Sequence, residues 1–540
     1  MNNIFSRSAA PAGAAVSERL RTILIFLGGF AILLLLHGNR LILSGIDEGI
    51  FLEAAQRMYQ GQKLYVDFFG YMSPGCYWVH ELSFHLFGVT LRAARIPTLL
   101  YLAADAALLY WLAVQLTSRA AAAAATIFFL IFAAGNSATL TAQHRWDSGA
   151  ISLLAIACAV RAHRTQSRLW IGISGALCVC ATAFTPSVAL VGAATFCWLL
   201  VWPANRRLAL PFTTGCALMA CLLVIYMSTT GIWTGFIRQM RWLAQNYSDV
   251  NIAPYGWVNG GYADLLSGGF SFEWIVRATV VTALAIPAML PVAVALGTLA
   301  VYLRHGRNTL AQPETPVVLY LLLCMAAVVG SSYPRPDTGH LAFIVMIPYV
   351  LAAWLAAEHL PRKVLAPVLM FATFAAGMFA LQTGFELATE KTVNSPVGRL
   401  RVHRQDAPAV EALLSHVRPG DGLFVHPYLP LLYFLTQGNN PTRYSYLAPG
   451  MMKLADESLA LRGLTQNPPK WLLHNDIDAA TFSRVFPSGD ASKVGYQRIE
   501  GWIHQKYGSA AFPAIAIDGY QLFGTAPTVV SQRRHAINSP

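Results

Sequence analysis

Three short polar segments of the chain carry residue types that are suited to acid–base or phosphate chemistry. They are the Asp-Glu-Gly segment 47–49, Asp147 within the segment 143–148, and the Arg-Pro-Asp-Thr-Gly-His segment 335–340. A carboxylate within hydrogen-bond reach of a hydroxyl group can remove its proton as a general base. Arginine binds phosphate groups through paired N–H donors. The chain therefore has the residues for a base that activates a hydroxyl and for cations that bind an anion.

Each of these segments also has an ordinary structural interpretation. Asp47 and Glu48 precede the run 50–59, whose apolar residues recur at helical spacing on one side, as in a helix that lies on a membrane surface. A carboxylate at such a helix start is explained by N-capping and by the helix dipole. Asp147 is open to the same explanation, with Arg145 as its partner, and Pro-Asp-Thr-Gly is an ordinary turn sequence.

Histidine and cysteine give little indication of a metal site. His144 and His340 lack the spacing of a zinc ligand set, so we predict no metal cofactor, with a divalent metal as the alternative. Seven of the eight cysteines lie in apolar runs, where free cysteine acts as a small buried hydrophobe. No disulfide framework is indicated, and an external domain is therefore expected to depend on its own core.

The composition indicates that most of the chain lies in lipid. Of its 540 residues, 55% are hydrophobic and 12% are charged, whereas soluble proteins carry about 25% charged residues. The net charge is +12, but the basic residues lie in small groups between apolar runs and form no single patch. We therefore predict no nucleic-acid partner.

Apolar runs that are long enough to cross about 30 Å of hydrocarbon occur repeatedly. Eleven candidate spans can be placed near 22–37, 96–117, 120–138, 148–161, 169–184, 187–202, 209–228, 277–303, 317–331, 341–357 and 364–385. The first has no small-residue cleavage pattern and is followed by many more, so it is expected to be a span rather than a signal peptide. The sequence thus predicts a polytopic α-helical membrane protein with about eleven transmembrane helices.

The basic residues predict the orientation of these spans. Alternate connections are basic and nearly free of acids, which marks the cytoplasmic side; they hold Arg19, Arg21, Arg119, Arg161, Arg164, Arg168, Arg206, Arg207, Arg304, Arg307, Arg362 and Lys363. The other connections, 38–91, 139–147, 229–276 and 332–340, then face outward. We predict a multi-pass protein of the bacterial cytoplasmic (inner) membrane, with a cytoplasmic N-terminus and all three polar segments on the outer face.

Beyond residue 385 the composition changes to mixed polar and apolar residues with ordinary charge. Short β-type runs at 422–425 and 471–473 alternate with helical stretches such as 406–417, and the tail is large enough for a domain. We predict two regions: a transmembrane region, 1–385, with a first external loop at 38–91, and a C-terminal extracytoplasmic (periplasmic) α/β domain, 386–540.

A reaction on the outer face must draw its energy from an activated substrate, because ATP does not reach that compartment and the chain has no P-loop pattern. A sugar on a polyprenyl phosphate fits, since its lipid needs a slot in the membrane. The leaving phosphate benefits from nearby arginine or lysine, and the acceptor hydroxyl needs a carboxylate base.

An ordered set of motifs resembles a known group of enzymes. The motifs are Asp47-Glu48-Gly49, Tyr71 to Trp78 (YMSPGCYW), Leu86-Phe87-Gly88, Ala93 to Pro97 (AARIP), Asp337 to Leu341 (DTGHL), Val425 to Thr436 and Asn440 to Tyr444. This set resembles integral-membrane glycosyltransferases of the glycosyltransferase-C fold, and among them the lipid A aminoarabinose transferases and the protein O-mannosyltransferase-like bacterial enzymes. The resemblance is good over residues 40–160, weaker through the middle spans, and returns at Asp337.

The resemblance implies an inverting transferase that uses a polyprenyl-phosphate sugar, with Asp47 as the catalytic base. It further implies that Asp147 is a second acid of the cavity and that Glu48 supports the base. Many relatives carry Lys-Pro-Pro where this chain has Ser-Pro-Gly at 73–75, and that lysine contacts the lipid phosphate. By location, the predicted donor-phosphate and substrate contacts are Arg92, Arg95, His144, Arg145, Arg335, Asp337 and His340.

Other functions fit parts of the sequence. A transporter or flippase for a lipid-linked or soluble solute would need polar residues near the bilayer midplane, and Asp105 is the main one present. A glycan polymerase or ligase would use a lipid-pyrophosphate donor, and an assembly factor would act through the tail. The leading prediction has a polyprenyl-phosphate sugar donor, a lipid, glycan or protein acceptor, and membrane lipids as partners.

Overall fold

The computed structural model describes residues 12–43, 47–135, 140–258, 261–262, 266–305, 312–344, 346–490, 492, 495–507 and 511–524. The helices are α1 (Ala12–His37), α2 (Glu48–Tyr59), α3 (Gly75–Phe87), α4 (Leu91–Val114), α5 (Arg119–Gly135), α6 (His144–Thr165), α7 (Arg168–Thr182), α8 (Ala189–Val201), α9 (Ala209–Thr229), α10 (Trp233–Asn246), α11 (Phe272–His305), α12 (Thr315–Ser331), α13 (Thr338–Ala342), α14 (Met346–Glu358), α15 (Arg362–Thr389), α16 (Ala407–His416), α17 (Leu431–Thr436), α18 (Leu454–Gln466), α19 (Ala479–Val485) and α20 (Gln497–Tyr507). The strands are β1 (Glu390–Ser395), β2 (Gly398–His403), β3 (Leu423–His426), β4 (Trp471–His474), β5 (Ala511–Ile517) and β6 (Tyr520–Gly524).

Each of the eleven predicted spans coincides with one helix: α1, α4 to α9, α11, α12, α14 and α15. In the described part of the chain, five helical segments are long and apolar enough to cross a membrane: Ser17–His37, Leu91–Val114, Pro203–Thr229, Phe272–Arg304 and Lys363–Thr389. Five further apolar helices are shorter, and α6 is 22 residues long but carries four charged residues. The helical, membrane-type architecture is therefore confirmed, while the count of eleven spans stays a prediction.

The membrane-type helices pack around one large apolar core. It includes Leu102 and Leu109 of α4, Trp146 and Ile156 of α6, and Tyr320 of α12, all less than 4% exposed. Large apolar side chains on the outside of the bundle, such as those of α1 and α9, stay exposed. Such a surface is expected where a helix faces lipid rather than water.

The tail contains two small sheets. Strands β1 and β2 form an antiparallel hairpin. The second sheet has the strand order β3-β4-β6-β5, in which β3 and β4 run parallel and the other neighbours run antiparallel. The predicted β-type run at 422–425 overlaps β3, the run at 471–473 lies within β4, and the helical stretch at 406–417 contains α16.

The buried core of the tail continues into the first loop. Phe51 and Phe84 from the 38–91 segment are buried in one cluster with Val425 and Phe434 from the tail, and the rings of Phe84 and Phe434 stack with centroids 5.7 Å apart. More than half of the buried residues in this cluster belong to the tail itself, so the first loop extends a core that the tail largely provides. The expectation of an independent tail domain stays a prediction.

Helix α2 differs from the predicted surface helix. Every residue from Glu48 to Arg57 is buried, because α17 of the tail covers the side that a surface helix would expose. A Cβ atom on Gly49 would lie 1.9 Å from the backbone nitrogen of Leu431 in α17. Only glycine permits this approach, which gives the glycine of the Asp-Glu-Gly segment a packing role.

Candidate active site

A cavity of about 630 Å³ lies between the membrane-type helices, the 229–276 connection and the tail. One part of its lining is polar and comprises Asp47, His144, Tyr247, Arg335, Asp337, His340 and Tyr428. Another part is apolar and comes from α5, α11 and α15, with Phe129, Phe132, Ala283, Leu284, Pro287 and Phe379. A cavity with both surfaces suits a ligand that has a charged or hydroxylated head and a hydrocarbon tail.

Asp47 stands directly before α2 and faces the cavity. Its side chain makes no capping hydrogen bond to the helix, so the simple N-cap interpretation does not account for it. Instead, the Tyr428 hydroxyl donates to Asp47 Oδ1 at 2.9 Å, and the Gln143 amide approaches Oδ2 at 3.5 Å. The carboxylate is half-buried and keeps acceptor capacity for a further hydroxyl group.

Glu48, the next residue, is fully buried and is paired with Arg95, which is also fully buried. Arg95 Nη2 donates to Glu48 Oε2 at 2.8 Å, and Arg95 Nη1 donates to the Leu140 carbonyl at 3.2 Å. The Ala142 backbone N–H donates to Glu48 Oε1 at 3.2 Å. Glu48 and Arg95 thus tie the start of α2 to α4 and to the segment before α6, and neither is among the residues that line the cavity.

The 335–340 segment brings three predicted residues into the cavity lining. Arg335 Nε donates to Asp337 Oδ2 at 2.7 Å, and its two Nη atoms donate to Asn251 Oδ1 and to the carbonyl of Val485. These contacts use three of the five N–H donors of a guanidinium. Asp337 caps the short helix α13 by accepting from the His340 backbone N–H at 2.8 Å, and its Oδ1 lies 2.7 Å from His340 Nδ1.

The electrostatics of this segment favour an ionised Asp337. Burial alone would raise the pKa of Asp337, but the hydrogen bond and charge of His340, with the charge of Arg335, hold that pKa well below its ordinary range. A carboxylate whose proton affinity is lowered in this way is a poor base. Asp337 therefore positions Arg335 and His340 beside the cavity rather than taking up a proton.

His144 and Arg145 begin α6. His144 lines the cavity, and its Nδ1 lies 2.7 Å from the Thr185 hydroxyl. Arg145 is buried, and its Nε and Nη1 have no hydrogen-bond partner among the described residues. Tyr247 and Asp337, which line the cavity, lie close enough to Arg145 to interact with its charge. An unpartnered buried guanidinium is costly unless an anion joins it.

Arg92, Arg145 and Asp147, like Glu48 and Arg95, are not among the residues that line the cavity. Asp147 is fully buried in α6, and neither of its carboxylate oxygens has a hydrogen-bond partner among the described residues. It is not among the lining residues, and Asp105 of α4 is buried and unpartnered in the same way. Arg92 is exposed on α4 and also lies outside the lining. Ser73, which stands where relatives carry the lysine, is buried.

The tail supplies site residues that the sequence did not single out. Tyr428 contacts Asp47, and burial, followed by the Asp47 charge, raises the pKa of Tyr428 well above its ordinary range, so the phenol remains a donor. Tyr446 packs edge-on against Tyr428 with ring centroids 4.8 Å apart, and Asn475 and Tyr520 also line the cavity. The sequence feature that could have identified Tyr428 is the His-Pro-Tyr-Leu-Pro segment 426–430, which is part of the motif set that carries the resemblance.

The two histidines that suggested a metal are committed to other partners, His144 to Thr185 and His340 to Asp337. The prediction of no metal cofactor remains a prediction. A different group of side chains in the tail, His426, His474 and Glu500, has its ligand atoms within 4.8 Å of one another.

Comparisons with known proteins bear on the fold. Residues 72–233 match the family model described as dolichyl-phosphate-mannose-protein mannosyltransferase. ArnT from Cupriavidus metallidurans is similar in its complex with undecaprenyl phosphate, with a TM-score of 0.55, 14% identity, and coverage of 96% of this chain and 99% of that one. Its apo form gives a TM-score of 0.56, 14% identity, and coverage of 95% and 98%.

A more distant structure has the same architecture. The oligosaccharyltransferase from Archaeoglobus fulgidus, tethered with an acceptor peptide, gives a TM-score of 0.52 and 9% identity, and covers 94% of this chain and 74% of that one. No curated protein sequence matches the chain. The resemblance predicted from the motifs is confirmed, and the chain has the glycosyltransferase-C fold.

Proposed function

We propose that this protein is an inverting glycosyltransferase that moves a sugar from a polyprenyl-phosphate donor to a hydroxyl acceptor on the outer face of the cytoplasmic membrane. The observation that carries the proposal is the cavity in which Asp47, free of any capping role, shares one lining with apolar residues of the membrane-type helices. The acceptor belongs to a lipid, a glycan or a protein.

The apolar part of the lining supports a prenyl chain as part of the donor. Ala283 of α11 and Phe379 of α15 are buried in one small cluster, against which Phe132 of α5 packs. These residues form part of the cavity lining. The similar ArnT structure contains undecaprenyl phosphate, which is a ligand of the proposed class.

Asp47 supports the base role by its position and its partner. Its carboxylate accepts the proton of the acceptor hydroxyl while that oxygen forms a bond to the anomeric carbon of the sugar. The bond from that carbon to the phosphate oxygen breaks with its electron pair, and the lipid phosphate leaves. Attack from the face opposite the phosphate inverts the anomeric centre. Tyr428 holds the Asp47 carboxylate in place through its hydrogen bond.

Arg335 lines the cavity, and Arg145, which is not among the lining residues, lies close enough to the lining residues Tyr247 and Asp337 to interact with them. These two cations are the proposed contacts for the departing phosphate. Two nitrogen atoms of Arg145 have no partner among the described residues, whereas three N–H donors of Arg335 already serve protein groups. His340 lies beside Arg335 in the same lining. A phosphate that reaches Arg145 from the cavity would supply its missing partner and would be stabilised most as the phosphate charge grows during bond breaking.

The test begins with mass spectrometry of cell-envelope glycans and lipid A from a deletion strain, which identifies the missing sugar. Complementation with the Asp47→Asn variant is expected to lower transfer of that sugar by about 10²- to 10⁴-fold, the usual range for the loss of a general base. Membrane levels should stay unchanged. The matched control is Asp67→Asn, which replaces an exposed aspartate of the same loop; near wild-type transfer by Asp47→Asn would remove Asp47 from the base role.

One observation favours a second candidate, a transporter or flippase. Asp105 and Asp147 are buried acids within membrane-type helices and have no hydrogen-bond partner in the described part of the chain. Such acids occur in proton-coupled carriers. Purified protein in liposomes separates the two functions, since a transporter would move the lipid without cleaving the sugar. The glycosyltransferase would release free polyprenyl phosphate.

A further inference from the structure

Two histidines and a glutamate meet at one end of the four-stranded sheet of the tail. His426 ends β3 and His474 ends β4, and the two residues are directly paired in the parallel register. Their rings are nearly parallel, with an interplanar angle of 8° and centroids 5.8 Å apart. Glu500 on α20 lies against both imidazoles. None of these residues takes part in the proposed transfer reaction.

The spacing of the three side chains is that of a metal-ligand set. His426 Nε2 lies 3.1 Å from Glu500 Oε1, and His474 Nε2 lies 3.0 Å from Glu500 Oε2. Zinc bound tetrahedrally, with ligands about 2.0–2.2 Å away, keeps neighbouring ligand atoms about 3.3 Å apart. Both distances are within a few tenths of an ångström of that separation. The ligand nitrogen atoms of the two imidazoles lie within 4.8 Å of each other, and any separation above about 3.3 Å would have to close when an ion binds.

Burial and ligand type also suit a cation. His426 is buried, and His474 and Glu500 are partly buried. A bound metal takes neutral imidazole and ionised carboxylate as ligands, and the three side chains supply two imidazoles and one carboxylate.

We propose that His426, His474 and Glu500 bind a divalent transition-metal ion, with zinc as the expected ion. Two imidazoles and one carboxylate form a ligand set that zinc accepts, with the fourth position left to water or another group. Asp476 lies nearby: its Oδ1 is 3.7 Å from His474 Nε2, and its side chain is 93% exposed.

The position of this site gives the ion a structural consequence. Tyr428, which donates to Asp47, follows His426 by two residues, and Asn475, which lines the cavity, directly follows His474. An ion that joins the ends of β3 and β4 to α20 would fix the strand ends from which these two side chains project. It would act as a positioning element behind the cavity wall, remote from the sugar.

The ordinary alternative is a hydrogen-bonded cluster in which both imidazoles donate to the Glu500 carboxylate. Glu500→Gln separates the two. A glutamine keeps a carbonyl acceptor of the same length, so a hydrogen-bonded cluster would largely survive the change. The substitution also removes the negative charge and most of the affinity of a carboxylate for a cation, so a metal site would lose its ion.

The test uses the full-length chain, purified in detergent without a histidine tag, stripped with a chelator and titrated with Zn²⁺. We expect one Zn²⁺ per chain by elemental analysis and a higher Tm on binding. Glu500→Gln and His474→Ala should each weaken binding by at least about 100-fold, since loss of even an outer partner costs about 10- to 100-fold. The matched control is His403→Ala, which replaces a histidine of the tail outside the cluster.

The proposal would be overturned if the stripped wild-type chain took up no Zn²⁺. It would also be overturned if Glu500→Gln bound Zn²⁺ as tightly as wild type, because the ion would then lie elsewhere. Should His474→Ala fail to fold, the isosteric Glu500→Gln variant still decides the outcome. The binding readout is independent of sugar transfer, so the proposal can fail while the proposed function stands, and the reverse.

Discussion

Asp47 and Glu48 are adjacent in the sequence, yet they lie in two different regions of the molecule. Asp47 faces the cavity, half-buried, with a phenol from the tail as its nearest donor. Glu48 is fully buried at the start of α2, with Arg95 and the Ala142 backbone N–H as its partners. A fully buried carboxylate with a matched cation contributes to structure, whereas one with free acceptor capacity beside a cavity can exchange a proton. Two neighbouring acids thus differ in role because their surroundings differ.

The largest effect is expected when the buried pair of Glu48 and Arg95 is broken. Replacing Arg95 with methionine leaves Glu48 as an unpaired buried charge, and such a loss costs about 3–5 kcal/mol of stability. We expect a large fall in the Tm of the purified protein and in its amount in membranes. The double variant Glu48→Gln with Arg95→Met removes both charges and should recover a large part of that loss.

The sequence placed Arg95 at the donor phosphate, and this experiment decides between the two roles. If Arg95→Met kept the wild-type Tm but lost sugar transfer, Arg95 would act in the site, and the contrast between the two regions would fail. If stability falls and the double variant restores it, Arg95 serves to hold α2 in place.

The next prediction tests the cavity side of the comparison. Tyr428→Phe removes the hydrogen bond to Asp47, and a hydrogen bond to a charged group contributes about 1.5–3 kcal/mol, so kcat should fall by about 10- to 100-fold. Tyr507→Phe is the matched control, because this buried tyrosine of the tail donates to the Pro469 carbonyl instead. Equal losses of transfer in the two variants would show that Tyr428 acts only through tail stability.

Much of the fold was predictable because its determinants are local. The length and apolar character of each span are properties of a continuous stretch of about 20 residues, and all eleven stretches coincide with helices. The β-type runs at 422–425 and 471–473 were found for the same reason. The burial of α2 was not predictable, since it depends on α17, which lies nearly 400 residues further along the chain.

The site was predictable only in part, for a related physical reason. Residue type and the predicted side of the membrane singled out Asp47, Arg335 and His340, and the fold places all three in one cavity lining. The contact between Asp47 and Tyr428 spans 381 residues, and no local pattern encodes it. Their location in the sequence gave Arg95 and Arg145 the same predicted role. In the structure Arg95 pairs with Glu48, whereas Arg145 has nitrogen atoms without a partner among the described residues.

Asp337 provides the smallest and most discriminating prediction, because this carboxylate lies at the cavity like Asp47 but is fully partnered like Glu48. Its pKa is held below the ordinary value by His340 and Arg335, against the effect of burial. The unfolded chain therefore binds the proton more readily, and the stabilisation that the carboxylate gives is present above the ordinary pKa of about 3.9 and is lost as the pH falls below it.

The Asp337→Asn variant should accordingly lose about 1–2 kcal/mol at neutral pH, as for the loss of a helix cap. The gap in Tm between wild type and variant should narrow as the pH is lowered below about 4. Asp478→Asn, which alters an exposed helix cap, should show a smaller gap. A gap in Tm that stayed constant with pH would show that ionisation of Asp337 does not contribute to stability. If Asp337→Asn abolished sugar transfer, as Asp47→Asn should, then Asp337 would also be a candidate base. Hydrogen-bond partners would then not distinguish the base from the other carboxylates beside the cavity.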